Sequence, residues 1–423
     1  MKNNFIFLIK INLLIIAIIS IYNTNCLNTK HFSRNIIDNI SYNKNYDYEW
    51  CIIGGGPAGI IIIGVLLDLG VPLESIKWID PKFQVGRIGE FYHNVSANSI
   101  NETYLKFIES CNTFKKIKSQ NIDNLYKLKK DGYENLKIIS DVLQDISDYF
   151  LEYIPHEKGF VENLSFENKT WSITLQENSF TSKNIILATG ASPKNLKLEN
   201  ENQEVIPLDI ALDKNKLEKL VNNNDIIAVF GGAHSAILVL KYLSEININK
   251  INNFYKYPLK YCKLNDNGVF ENINGLKGFA AAWAKEFIEN GLPENLFRYK
   301  MNEENIKNYL NECNKIIYAI GYERTNVANG NIFYNGDYFE IEFDPKTGRI
   351  GPNIFGIGIA FPPEIIENGI KENLIGINSF MLYAQQVAPN WINRLISLEI
   401  DDILKTRLKL NELHSSLKVY AIS

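Results

Sequence analysis

Residues Trp50-Cys51-Ile52-Ile53-Gly54-Gly55-Gly56-Pro57-Ala58-Gly59-Ile60 decide the fold. An apolar run that reads as a buried strand enters G-x-G-x-x-G, and an apolar helical stretch continues from Ile60 to Leu69. Strand, glycine turn and helix in that order form the context in which the motif binds the pyrophosphate of a dinucleotide. Gly54 permits the tight turn, Gly56 keeps a Cβ away from the phosphates, and Gly59 lets the helix pack close to the strand. Pro57 and Ala58 open the helix, whose first N–H groups and positive dipole end attract an anion. A second strand, Ile76 to Asp80, ends in an acid about 20 positions after Gly59, where a carboxylate accepts a hydrogen bond from a ribose hydroxyl. Gly86-Arg87-Ile88-Gly89 makes a further glycine-punctuated loop and adds Arg87 to the candidate cofactor contacts.

The same grammar returns downstream. Asp225 to Phe230 read as a strand, Gly231-Gly232-Ala233-His234-Ser235-Ala236 as the turn, Ile237 to Leu243 as the helix, and Ile251 to Tyr255 as the next strand. Gly231 takes the tight turn, and His234 and Ser235 offer donors to phosphate. Ala233 and Ala236 replace the second and third glycines, and the former crowds a pyrophosphate. Lys256 stands where an acid would read an unphosphorylated ribose, and a cation there suits a 2′-phosphate. A further strand, Lys315 to Ile320, ends at Gly321. Between the two units, Thr103 to Phe150 read as mostly helical. Gly159 to Phe166 and Thr170 to Leu175 read as a hairpin turning near Glu167-Asn168-Lys169. Ser379 to Lys405 read as helical.

The expected class is α/β: a Rossmann-like dinucleotide domain at residues 48–210 and 326–405, interrupted by a second Rossmann-like domain at 211–325. Residues 406–423 form a tail. With 423 residues, 46% of them hydrophobic, the chain can build more than one core. A net charge of -4 gives no basic surface for nucleic acid. A basic start at Lys2 and an apolar stretch to Ile21 read as a signal peptide over residues 1–26, or as an uncleaved anchor, which is the one expected tie to a membrane. Both point to the secretory route, and residues 27–47 then read as a polar spacer. The five cysteines are widely spaced and form neither a C-x-x-C pair nor a zinc pattern, so no metal site is expected.

These features resemble the two-dinucleotide flavoproteins, which include flavin-containing and N-hydroxylating monooxygenases and pyridine nucleotide–disulfide oxidoreductases. The resemblance implies FAD in the first domain and NADPH, rather than NADH, in the inserted one. It assigns Gly54, Gly56, Gly59 and Asp80 to the FAD pyrophosphate and ribose, and places Val161 on a strand beside the adenine. It likens Thr189-Gly190 to the A-T-G element that closes the first domain. Ala319-Ile320-Gly321-Tyr322 resembles the monooxygenases' A-T-G-Y element. Val95-Ser96-Ala97-Asn98-Ser99 resembles the segment whose Asn lies at the flavin's reactive edge, which makes Asn98 the candidate catalytic residue. A side-chain amide can donate and accept there without adding charge. The plain alternative is a loop Asn in an Asn-rich chain, and His93 nearby reads as structural. Two departures stand out: no dithiol is present for disulfide exchange, and Gly356-Ile357-Gly358 lacks the Asp expected at the flavin tail. The function expected is an FAD-dependent, NADPH-consuming monooxygenase acting on a small molecule. The alternatives are a reductase or oxidase passing electrons to a quinone or O2, and a non-catalytic nucleotide-binding protein.

Overall fold

The computed structural model describes residues 45–196, 203–264, 270–271, 274–367 and 369–393. The expected signal segment at 1–26, most of the spacer, the helical reading beyond 393 and the C-terminal tail lie outside these residues.

Strand β1 (Tyr48–Ile53) runs into helix α1 (Pro57–Asp68), followed by β2 (Ile76–Asp80) and α2 (Gly86–Phe91). Helices over Asn101–Glu109, Asn112–Lys116 and Gln120–Lys127 lead to α3 (Lys137–Tyr153), in line with the helical periodicity of that stretch. Strands β3 (His156–Lys158), β4 (Asn163–Glu167), β5 (Thr170–Thr174) and β6 (Ser179–Leu187) follow. The β4–β5 turn places Asn168 and Lys169 at φ 49° and 65°, the left-handed geometry that matches the right-handed twist of a tight hairpin.

The chain leaves this unit through β7 (Ala191–Pro193) and enters the second through β8 (Glu204–Val205) and α4 (Leu208–Ala211). The second unit's sheet therefore begins ahead of residue 211. Its core elements are β9 (Ile226–Phe230), α5 (His234–Ile246), β10 (Lys250–Tyr255), α6 (Gly278–Ala284), β11 (Leu296–Lys300) and β12 (Lys315–Tyr318). The return strand β13 (Tyr322–Arg324) pairs antiparallel with β7, so exit and re-entry lie side by side. Strands β14 (Ile332–Tyr334), β15 (Asp337–Tyr338), β16 (Arg349–Gly351) and β17 (Ile354–Gly356) rejoin the first sheet, and helix α7 spans residues 377–393.

The two units repeat one plan. In the first, β3-β2-β1-β6-β17 are parallel neighbours. In the second, β11-β10-β9-β12-β8 are parallel neighbours in the same relative order. Central strands buried on both faces explain the unbroken apolar runs. Trp50 and Ile52 face a core shared with α1, α3 and α7, while Cys51 and Ile53 face the β4–β5 layer. Ile227 and Val229 face α5, and Ala228 and Phe230 face the opposite core. Each aliphatic side chain buried in this way contributes about 1.5–3 kcal/mol relative to exposure.

Candidate functional site

Both glycine turns share their first glycine's geometry and its backbone hydrogen bond. Gly54 has φ 121° and Gly231 φ 131°; a Cβ on either would stand 2.2 Å from the carbonyl oxygen of Ala188 or Ala319 respectively. The amide of Gly54 donates to Ile79 O at 2.8 Å, and that of Gly231 to Phe254 O at 2.9 Å. A side chain on the neighbouring strand pins each turn. Trp78 Nε1 donates to Gly54 O at 3.0 Å, and Asn253 Nδ2 donates to Gly231 O at 2.8 Å. The helices that follow have no side-chain cap at Gly56 or Ala233 and no acid in their first turns. Their leading N–H groups therefore remain available for an anion, as a pyrophosphate requires.

Gly56 faces Gly86, where an added Cβ would come within 3.1 Å of Gly56 Cα, so a cradle stays open over the first turn. Pro57 sits at the start of α1, and Ala58 packs against Gly358, where a Cβ would lie 2.5 Å from the Ala58 methyl. A Cβ on Gly59 would strike Gly54 O at 1.9 Å, whereas the second unit carries the Ala236 methyl at the corresponding place. Helix α5 thus packs less tightly against its turn than α1 does.

Asp80 does more than await a ribose. Its Oδ2 accepts the Gly55 amide at 2.6 Å, and its Oδ1 accepts those of Lys82 and Phe83 at 2.8 and 2.7 Å. A carboxylate offers about four acceptor sites, so one on Oδ2 remains for a hydroxyl. In the second unit the register changes the expected partner. Ile52 pairs with Trp78 as Val229 pairs with Asn253, so Tyr255, not Lys256, is the counterpart of Asp80. Lys256 is exposed one step beyond, its Nζ 5.2 Å from the Tyr257 ring centre.

Arg298, which the sequence reading missed, reaches this position from β11. Its guanidinium lies 4.5 Å from the Tyr255 ring centre and its Nε donates to Asn253 Oδ1 at 2.9 Å. Its Nη2 is buried without a hydrogen-bond partner, and burial lowers its pKa. Only the pairing of β10 with β11 reveals it, because Arg298 is an isolated cation in sequence.

His234 opens α5, and its buried Nδ1 has no partner. Burial, reinforced by Lys277, pulls its pKa from 6.5 down to about 4, so the ring is neutral at pH 7. Ser235 follows in the first turn of α5, where its backbone amide is among the leading N–H groups. Tyr322 lies at the start of β13, and burial pushes its pKa well up.

Arg87 differs from the expectation of a cofactor contact in its immediate surroundings. Its guanidinium makes an ion pair with Asp209 on α4 and stacks on Phe91, with Cζ 4.9 Å from the ring centre. Val161 is buried but lies between β3 and β4 rather than on a strand; the strand beside Asp80 is β3. Thr189 Oγ1 donates to Thr325 O at 3.3 Å and Gly190 O accepts from Thr325 N at 3.0 Å, so this pair closes the exit beside the return. Gly321, at φ 101°, closes the other end of the β7–β13 ladder through Lys194 N.

Asn98 is exposed, and its Oδ1 accepts from Ser99 Oγ at 3.4 Å. Its loop is anchored by Ala97 N donating to Glu134 O at 2.8 Å. Ala97 O lies 3.3 Å from where a Gly278 Cβ would stand, which brings the loop against the start of α6 and hence near Lys277 and His234. His93 Nε2 pairs with Ser140 Oγ at 2.9 Å, a structural role. The Gly278–Trp283 stretch forms a helix that buries Ala280, Trp283 and Ala284.

No protein-family model matches the chain. It is similar to Monooxygenase AgnR1 of Paecilomyces divaricatus, 26% identical over 388 residues, which takes in 81% of this chain and 97% of that protein. Among solved structures it is similar to the bacillithiol disulfide reductase Bdr of Staphylococcus aureus, with a TM-score of 0.54 at 12% identity, over 82% of this chain and 98% of that one. It is similar also to OTEMO in complex with FAD and NADP, with a TM-score of 0.54 at 13% identity, over 85% and 87% of the two chains. The chain shares the mixed α/β fold of these solved structures, with its two Rossmann-like sheets.

Proposed function

We propose that this chain is an FAD-dependent oxidoreductase of the monooxygenase type that consumes NADPH and acts on a small molecule. The observation that carries the reading is the pair of matching glycine turns, each leading into a helix with an uncapped N-terminus. The first turn would hold FAD, its pyrophosphate on the amides of α1 and its ribose on the open site of Asp80. The second would hold NADPH, where the Asp80 counterpart is Tyr255 and Arg298 stacks on its ring. A cation stacked on an aromatic ring, with a free donor, favours a 2′-phosphate that a carboxylate would repel.

Bound FAD would supply hydride acceptance and the reaction with O2; the chain orients the nucleotides and keeps water out. Asn98 offers an uncharged donor and acceptor on the loop beside α6. Similarity to a named monooxygenase along most of both chains supports oxygen chemistry over simple reduction. Three of the four thiols among the described residues support it too, Cys262 being the partly exposed one. Cys51, Cys111 and Cys313 are buried, and burial raises all three, Cys111 to about 12 and Cys313 to about 11. Thiols held protonated in this way are poor nucleophiles for disulfide exchange.

The test is direct. Purified protein reconstituted with FAD should retain flavin absorbance and oxidise NADPH, and a substrate screen should yield an oxygenated product. Peroxide or reduced quinone as the sole product would move the assignment to an oxidase or reductase. Nucleotide binding with no NADPH consumption would leave a binding protein.

A further inference from the structure

Residues 87–96 belong by sequence to the first unit, and His93 and Val95 hold to the start of α3 there, yet the segment also enters the core of the second. Tyr92 and Val95 are members of the core built by α5 and α6, with Ile88 and Phe91 against its edge. Polar contacts follow the same line. Asn94 Nδ2 donates to Asp213 Oδ2 at 2.9 Å.

At the centre of this contact the hydroxyls form a chain of fixed direction. Tyr92 donates to Asp209 Oδ1 at 2.5 Å. Its oxygen lies 3.2 Å from that of Tyr322, and since the Tyr92 proton is committed to the carboxylate, Tyr322 is the donor between them. Arg87 closes the far end by pairing with Asp209, and its Nε also donates to the Tyr92 hydroxyl oxygen at 3.5 Å. The order is Tyr322, Tyr92, Asp209 and Arg87, running from the start of β13 to α2, the element that crosses the first glycine turn. Each hydroxyl has one proton and one place to send it, so the chain has one satisfied arrangement. Half-satisfied buried networks are costly, which makes this arrangement stiff.

We propose that Tyr92 and Tyr322 are positioning residues that fix the angle between the two dinucleotide units, and with it the distance between the bound nicotinamide and the flavin. The kinetic part rests on the function proposed above; the mechanical part does not. Small displacements of reacting groups can cost up to about a hundredfold in rate.

The experiment uses Tyr92→Phe, Tyr322→Phe and the double variant of the full chain. Phenylalanine keeps the packing and removes only the hydroxyl. Amide hydrogen exchange should quicken in residues 86–97 and 207–213 in both single variants, and the double variant should exchange no faster than either. Flavin reduction by NADPH under anaerobic conditions should slow by roughly tenfold, with the dissociation constants for FAD and NADPH within about threefold of the parent. Unchanged exchange in both segments, or effects that simply add in the double variant, would overturn the proposal. So would slowed exchange-independent reduction, in which the rate falls while exchange stays as in the parent. If the parent protein binds no FAD, the proposed function fails, while the exchange result still decides the mechanical claim.

Discussion

The two glycine turns share their backbone and differ in what stands at the end of the neighbouring strand. In the first, Asp80 is tied to three backbone amides and presents negative charge. In the second, Tyr255 presents a ring with Arg298 over it. On the proposed function the common part takes a pyrophosphate, because a left-handed glycine and an uncapped helix are what one needs. The different part would then select the ligand, because charge at the ribose decides whether a further phosphate is welcome. One backbone geometry would serve two nucleotides through a change at one register position.

The largest test strikes the shared part. Gly54→Ala and Gly231→Ala should each cost at least about 3 kcal/mol, because each places a Cβ on a carbonyl at a φ that alanine resists. Chemical denaturation should show both losses, and flavin retention should fail first in Gly54→Ala. A Gly231→Ala protein as stable as the parent would break the equivalence. Next come the pinning side chains. Trp78→Phe and Asn253→Leu remove the donors to Gly54 O and Gly231 O, and a stranded buried acceptor costs about 1–3 kcal/mol. Asn253→Leu should be the more severe, since Asn253 also donates to Val229 O and accepts from Arg298.

The part that differs is tested by Arg298→Ala. Loss of a charge-assisted contact should raise the NADPH KM by roughly tenfold to a hundredfold and leave the NADH KM within about threefold. Equal losses for both nucleotides would mean that Arg298 supports the sheet and does not read the phosphate.

The smallest effect concerns pH. His234 has a folded pKa of about 4 against an ordinary 6.5, so between these values the unfolded chain binds more protons than the folded one. Stability from this group is complete above pH 6.5 and is lost as pH falls towards 4. His234→Gln should flatten that decline in a series of thermal melts, with little change at pH 8.

Much of this was legible in the chain. The two strand–glycine–helix units, the parallel strands and the hairpin at Asn168-Lys169 follow from local chemistry: glycine spacing, unbroken apolar runs and turn residues. What stayed hidden depends on pairing across distance. Lys256 was read by counting along the chain, but the strand register gives the place to Tyr255. Arg298 enters only through the β10–β11 pairing. Strand β3 is three residues without apolar alternation and leaves no periodic signal, while alternation over Gly159–Phe166 and the resemblance put Val161 on a strand that starts only at Asn163. Arg87 was read from its loop, yet its partner Asp209 comes from α4 in the other unit. Nothing local in the sequence marks Tyr92 and Val95 as members of the second unit's core, which only the tertiary packing reveals.

The central claim is that the first turn holds FAD and the second delivers NADPH to it. An anaerobic titration of the FAD-reconstituted protein with NADPH, followed by absorbance, tests it most directly. The account predicts flavin absorbance that stays with the protein and bleaches as NADPH is added. Flavin that washes away, or that remains bound and oxidised in excess NADPH, would contradict it.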